Sequence, residues 1–263
     1  MIGLKTAGPM EQFEILPIVP MAFGAIDLSF TNSSLWMLIG VLAIAIFFFA
    51  ATRGRALVPG RIQSTAEVLH EFIADLVRDT IGPDGRKFFP YVFTLFIFIL
   101  VANLFGLIPS LPGAPNQLHT FTPTSHIIVT LGLAMLTITI VIVYGFWKNG
   151  LKFFKLFAPS GLPLWLMPLL VPIEIVSFLS RPLSLGIRLF ANMLAGHIIL
   201  KLFAGFVVSL LSAGGFVMLL GLAPFAGAIA ILMLEFLVAA LQAYVFAILT
   251  CIYLSDAAHA ASH

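Results

Sequence analysis

Charge is what this sequence has least of. Of its 263 residues, 13 are Lys or Arg and 11 are Asp or Glu, 9% in all, where a soluble domain carries roughly a quarter. Hydrophobic residues make up 61% and mean hydropathy is +1.13, so the chain reads as an integral membrane protein. Its balance of +2 is too small and too dispersed to make a nucleic-acid face. Cysteine is almost absent. The single Cys251 excludes an intrachain disulfide and, lying in an apolar run, leaves the compartment unread. A G-x-x-x-x-G-K-[ST] loop is missing, which excludes a P-loop nucleotide site. So are a Cys/His cluster with metal spacing, a G-x-S-x-G nucleophile elbow and a transporter-like internal repeat. Cofactor and metal are therefore expected to be none, and moving an ion is a better reading than chemistry on a bound molecule. The N-terminus has no cationic stretch leading into an apolar one, and Glu11, Glu14 and Asp27 interrupt it, so no cleavable signal peptide is read there.

What is there is a series of apolar runs. LWMLIGVLAIAIFFFAAT (35–52), FFPYVFTLFIFILVANLFGLI (88–108) and HIIVTLGLAMLTITIVIVYGFW (126–147) are each long enough to cross a hydrocarbon core of about 30 Å. Between the first two, residues 62–82 place Ile62, Leu69, Phe72, Ile73, Leu76 and Val77 at helical spacing. Ser64 and Glu67 fit an S-x-x-E capping box at the start of that segment. An amphipathic helix on the membrane surface or against a partner is expected.

Basic residues orient the chain. Six Lys/Arg fall in 53–87, and Lys148, Lys152 and Lys155 follow the third run, whereas PSLPGAPNQLHTFTPTS (109–125) holds no charged residue. The positive-inside rule puts the basic segments in the cytoplasm (or matrix) and 109–125 outside, so the N-terminal segment 1–34 starts outside. Two near-continuous apolar stretches follow, 163–204 and 206–254. A helix of 42 residues would be about 63 Å long, twice the core thickness. Each stretch therefore holds either two short helices or one long tilted or bent helix. Gly214, Gly215 and Pro224 could break the second, and Pro168, Pro172 and Pro182 could bend the first.

Past residue 160 the only strongly charged side chains are Glu174, Arg181, Arg188, Lys201, Glu235 and Asp256. Near the bilayer middle each costs about 2.5–3.5 kcal/mol, so they should face protein or water. Glu174, Arg181 and Arg188 are seven apart and share a helix face, joined by Ser177, Ser184 and Asn192. Glu235 and Gln242 are also seven apart, with Asp256 fourteen further on. Two facing helices would each present a polar seam to a wet interior. His197, nine past Arg188, falls on the opposite side, as a broken path rather than a continuous pore would require. The plainer reading is a structural Arg–Glu pair that fixes helix register. Arg181, beside Pro182, is read as structural or interfacial.

PLSLGIRLFANMLAGHIIL and LQAYVFAILTCIYLSDA (241–257), with EQFEI near the start and NLFGLIP at 103–109, closely resemble the a subunit of F-type rotary ATP synthases. The resemblance covers most of the chain, and the L-x-R-L-F-x-N-M core with a downstream L-Q-A-[YF]-[VI]-F is very specific. It implies an all-α membrane domain over 1–263 with five crossings plus the surface helix, the two long stretches forming a steeply tilted hairpin against a ring of c subunits. Arg188 matches the obligatory arginine that faces the ring carboxylate; Asn192 and Gln242 match polar residues near it. Glu174 matches an acid of the inside half-channel, and Asp256 one found in mitochondrial members. The partners implied are the c-ring, peripheral-stalk b subunits, the rest of the synthase, membrane lipid and protons, in a bacterial inner membrane; no catalytic ATP site is expected in this chain.

One departure is informative. Many bacterial members carry an acid nine residues after the arginine and a histidine seven before the glutamine; here these positions are His197 and Glu235, the reverse. Mitochondrial members share the exchange, which points to a mitochondria-like bacterial lineage and to two side chains that are neighbours. A His–carboxylate pair serves in either order. The competing classes are a self-contained ion channel or secondary transporter, and a structural membrane scaffold.

Overall fold

The computed structural model describes residues 17–20, 22–23, 26–27, 29–54, 56–108, 122–150, 153–154 and 166–259. Most of the expected outside segment 1–34, the loop 109–121, and Lys152 and Lys155 lie outside the described residues. Near the N-terminus are two short antiparallel pairs. β1 (Pro17–Val19) pairs with β4 (Phe30–Thr31), and β2 (Ala22–Phe23) with β3 (Ile26–Asp27). Among the described residues, everything else of any length is helix.

Five helices among the described residues are long and apolar enough to cross a membrane. Three are α1 (Asn32–Arg53), α3 (Phe89–Gly106) and α4 (Ile127–Asn149), of 22, 18 and 23 residues. At 1.5 Å per residue these are about 27–35 Å long, the thickness of a hydrocarbon core. The remaining two, α5 (Met167–Ala213) and α7 (Leu222–His259), are much longer. A four-residue turn of helix, α6 (Val217–Leu220), lies between them.

α5 is one helix of 47 residues, a contour of about 70 Å. It continues through Pro172 and Pro182, although each lacks an N–H and frees a carbonyl four residues back. The chain leaves α5 at Gly214 and Gly215, whose φ of 69° and 61° are left-handed values that cost a side-chain-bearing residue about 1–2 kcal/mol. The break thus falls nine residues later than a division after residue 204 places it, and Pro224 lies inside α7 instead of ending it.

α2 (Arg61–Ile81) is the amphipathic helix. It buries Ala66, Ile73, Val77 and Ile81, while Ile62, Val68 and Phe72 stay exposed beside its charged residues. The expected capping box is not formed. The N-cap is Gly60, so the helix starts a turn earlier and Ser64 donates its own N–H to the Gly60 carbonyl at 2.8 Å. Glu67 instead accepts from Gln63 Nε2 at 2.8 Å, an i,i+4 pair within the helix. Gly60 has an extended backbone, φ −69° and ψ 168°, and that fixes the start.

The described chain divides into two compact units. One comprises 44–98, 127–188 and 243–263. Its core joins α1, α2, α3 and α4 through aromatic contacts such as Phe48–Phe93, His70–Phe89 and Phe88–Tyr144. Tyr91 and Thr137 share a 2.8 Å hydroxyl bond. At its polar end Lys148 donates to Asp84 at 2.9 Å, and Asn149 to the Ala257 carbonyl at 2.7 Å. The Lys148 bond and charge hold the Asp84 carboxyl below its usual range, so this link survives mild acidification and is lost only as pH falls through that lowered value. The buried face of α7 here is Ala243, Phe246, Ala247, Thr250, Cys251, Leu254, Ala257 and Ala258, mostly small residues at helical spacing that let helices approach closely. The other unit comprises 1–43, 99–126 and 189–242. In it Trp36 meets Phe105 edge-on, and buried Asn103 accepts from Thr124 Oγ1 at 2.7 Å while donating to the Ala239 carbonyl at 3.3 Å. Buried amides in an apolar setting need such partners.

Candidate functional site

Two polar clusters hold most of the candidate residues, one within each unit. In the unit containing 189–242, His197 of α5 is half-buried. Its Nε2 lies 2.9 Å from the hydroxyl of Thr122. Gly106, the last residue of α3, makes room for both: a Cβ there would come within 2.8 Å of the His197 Nε2. Glu235 of α7 is 7% exposed, and neither carboxylate oxygen has a hydrogen-bond partner. It packs on Gly196, the residue before His197, where a Cβ would come within 2.8 Å of the Glu235 carboxyl carbon. His197 and Glu235 therefore occupy adjoining positions on α5 and α7. Gln242 is buried on the same α7 face, two turns from Glu235. An unpartnered buried carboxylate beside a hydroxyl-bonded imidazole is an arrangement able to take up and pass on a proton.

The other cluster centres on Arg181. Its Nη1 donates to Asp256 Oδ2 of α7 at 3.1 Å, and its Nη2 is 3.7 Å from Glu174 Oε1, two turns back on α5. The guanidinium lies over the rings of Phe178 and Tyr253, at 5.6 and 5.2 Å. Glu174 and Asp256 are thus brought together by Arg181, whose place beside Pro182 suggests only a structural or interfacial role.

Arg188 and Asn192 lie elsewhere. Both are exposed on α5, as are Ser177 and Ser184. The expected α5 seam is therefore not an interior seam of this chain. Phe178, Pro182, Leu185, Leu189 and Met193 form the buried face of α5, which turns Ser184, Arg188 and Asn192 outward. Arg188 takes part in none of the ion pairs among the described residues. Its exposed neighbours Leu183 and Ile187 are apolar.

Thr122, Gly106 and Gly196 were not foreseen. Thr122 falls in the 109–125 segment, which holds no Lys, Arg, Asp or Glu, and the one signal for the glycines was small residues beside a polar one.

Apolar helices of spanning length, with few charged residues along them, define a multi-pass helical membrane protein. The ATP synthase A chain family matches residues 34–255, and the chain belongs to that family. Proteins named ATP synthase subunit a are similar along almost their whole length. That of Mesorhizobium japonicum is 57% identical over 251 residues, 95% of this chain and 96% of its own. Those of Maricaulis maris and Hyphomonas neptunium are each 58% identical, covering 97% of this chain and 99% and 97% of their own.

Proposed function

We propose that the chain is the stationary half of a proton-driven rotary motor: one membrane domain that offers two offset aqueous half-channels to a ring of c subunits and separates them with Arg188. His197, Asn192 and Glu235 line the outside half-channel. Glu174 and Asp256 line the inside one, and Gln242 belongs to the surroundings of the arginine. A guanidinium does not give up its proton, so Arg188 acts by charge alone. A ring carboxylate arriving protonated from lipid deprotonates beside this fixed positive charge. It passes the arginine and is reprotonated from the other half-channel. Each charge crossing 100 mV supplies about 2.3 kcal/mol, which the ring converts to torque. The same positive charge keeps protons from leaking directly between the half-channels. Peripheral-stalk b subunits hold the chain still. Its setting is a bacterial inner membrane, N-terminus outside and C-terminus cytoplasmic, with α2 on the membrane surface.

The observation that carries this reading is Arg188: exposed on α5, flanked by exposed Leu183 and Ile187, and outside every ion pair among the described residues. A lone charge near mid-bilayer costs about 2.5–3.5 kcal/mol, so its counter-charge must come from another chain. Reconstitution separates this from a self-contained channel or transporter. The purified chain alone should conduct no protons in vesicles under an imposed potential, and conduction should require the c-ring. Conduction by the chain alone would overturn the proposal.

A further inference from the structure

The Arg181 cluster holds one positive and two negative side chains, and the two carboxylates are not equivalent. Asp256 accepts a hydrogen bond from Nη1 at 3.1 Å. Glu174, at 3.7 Å from Nη2, is within ion-pair reach but too far for a hydrogen bond. The guanidinium itself is immobilised. It is 23% exposed and lies within cation–π distance of Phe178 on its own helix and Tyr253 on α7. Asp256 and Tyr253 come from α7, Glu174 and Phe178 from α5, so the group is held from both helices.

We propose that Arg181 is a positioning residue of the inside proton path, which pins Asp256 as its fixed counter-ion and leaves Glu174 as the carboxylate that exchanges protons. A proton entering the cluster lands on Glu174, because protonating Asp256 breaks a charge-assisted hydrogen bond while protonating Glu174 breaks none. The cluster then cycles between neutral, with Glu174 protonated, and a single negative charge, with Glu174 ionised. Asp256 is balanced by Arg181 throughout. This division of labour rests on the proposed inside path through Glu174 and Asp256.

A charge-deletion cycle tests it in the assembled synthase, measured as ATP-driven acidification of inverted membrane vesicles with subunit co-purification confirming assembly. Arg181→Gln should slow pumping at least tenfold, since it leaves two carboxylates without their counter-charge. Arg181→Lys should retain at least a third of the rate, because a cation remains between them. Adding Asp256→Asn to Arg181→Gln should recover most of the loss, whereas adding Glu174→Gln should recover none. Recovery by Glu174→Gln in place of Asp256→Asn would overturn the assignment, as would recovery by neither or a lysine variant as slow as the glutamine one. Arg188→Ala run in parallel keeps the two readings apart. Coupled pumping in that variant sinks the underlying function, while its loss alongside a failed cycle sinks the role of Arg181 alone.

Discussion

Replacing Gly196 by alanine is the perturbation whose size the structure fixes best. The new Cβ would overlap the Glu235 carboxylate, 2.8 Å from its carboxyl carbon and 3.1 Å from its Cγ. The obstacle is the far end of a flexible side chain, and both carboxylate oxygens lack partners, so moving it breaks no hydrogen bond. The cost is therefore that of overpacking alone, about 1–3 kcal/mol. If that energy is withdrawn from the geometry used in proton transfer, pumping slows about 5- to 160-fold. The assay is ATP-driven acidification of inverted vesicles, with co-purification of the other subunits as the control for assembly. Shortening the obstacle should relieve the clash, so Gly196→Ala combined with Glu235→Asp should pump faster than Gly196→Ala alone. An assembled Gly196→Ala enzyme pumping at the unmodified rate would refute the placement of Glu235 against α5. A double variant slower than both singles would refute the steric argument.

Further outcomes follow from the same cluster. His197→Glu combined with Glu235→His should be less impaired than either single change; equal or worse pumping in the double would show that the two residues do not act together. Thr122→Val removes the hydroxyl bonded to half-buried His197, a loss of about 0.5–1.5 kcal/mol, so pumping should fall about 2- to 13-fold. Thr122→Ser keeps the hydroxyl and should stay near the unmodified rate; equal losses in both variants would point to packing instead of the hydrogen bond.

Spans and the amphipathic helix were readable because apolar length and a 3.6-residue period are local properties. The start of α2 at Arg61 is within one residue of the expected 62, but the capping box fails because Ser64 and Glu67 have its spacing while the N-cap is Gly60, upstream of both. The turn after α5 was ambiguous because several glycines and prolines could have made it, and only backbone angles single out Gly214 and Gly215. Spacing and resemblance together single out Arg188, Glu174, His197, Glu235 and Gln242 as candidates. What spacing could not supply was partnership across long separations. Arg181 and Asp256 are 75 residues apart, as are Thr122 and His197, and both pairings depend on how helices pack. The same limit explains why the α5 stripe was expected to face inward. Periodicity says which residues share a face, not which face the neighbouring helices cover.

The central claim is that Arg188 is the charge separating two proton paths, with its counter-charge on another chain. The most direct measurement is ATP-driven acidification of inverted vesicles carrying fully assembled Arg188→Ala enzyme. The account predicts that no proton gradient forms while the complex remains assembled. A gradient built at the rate of the unmodified enzyme would contradict it.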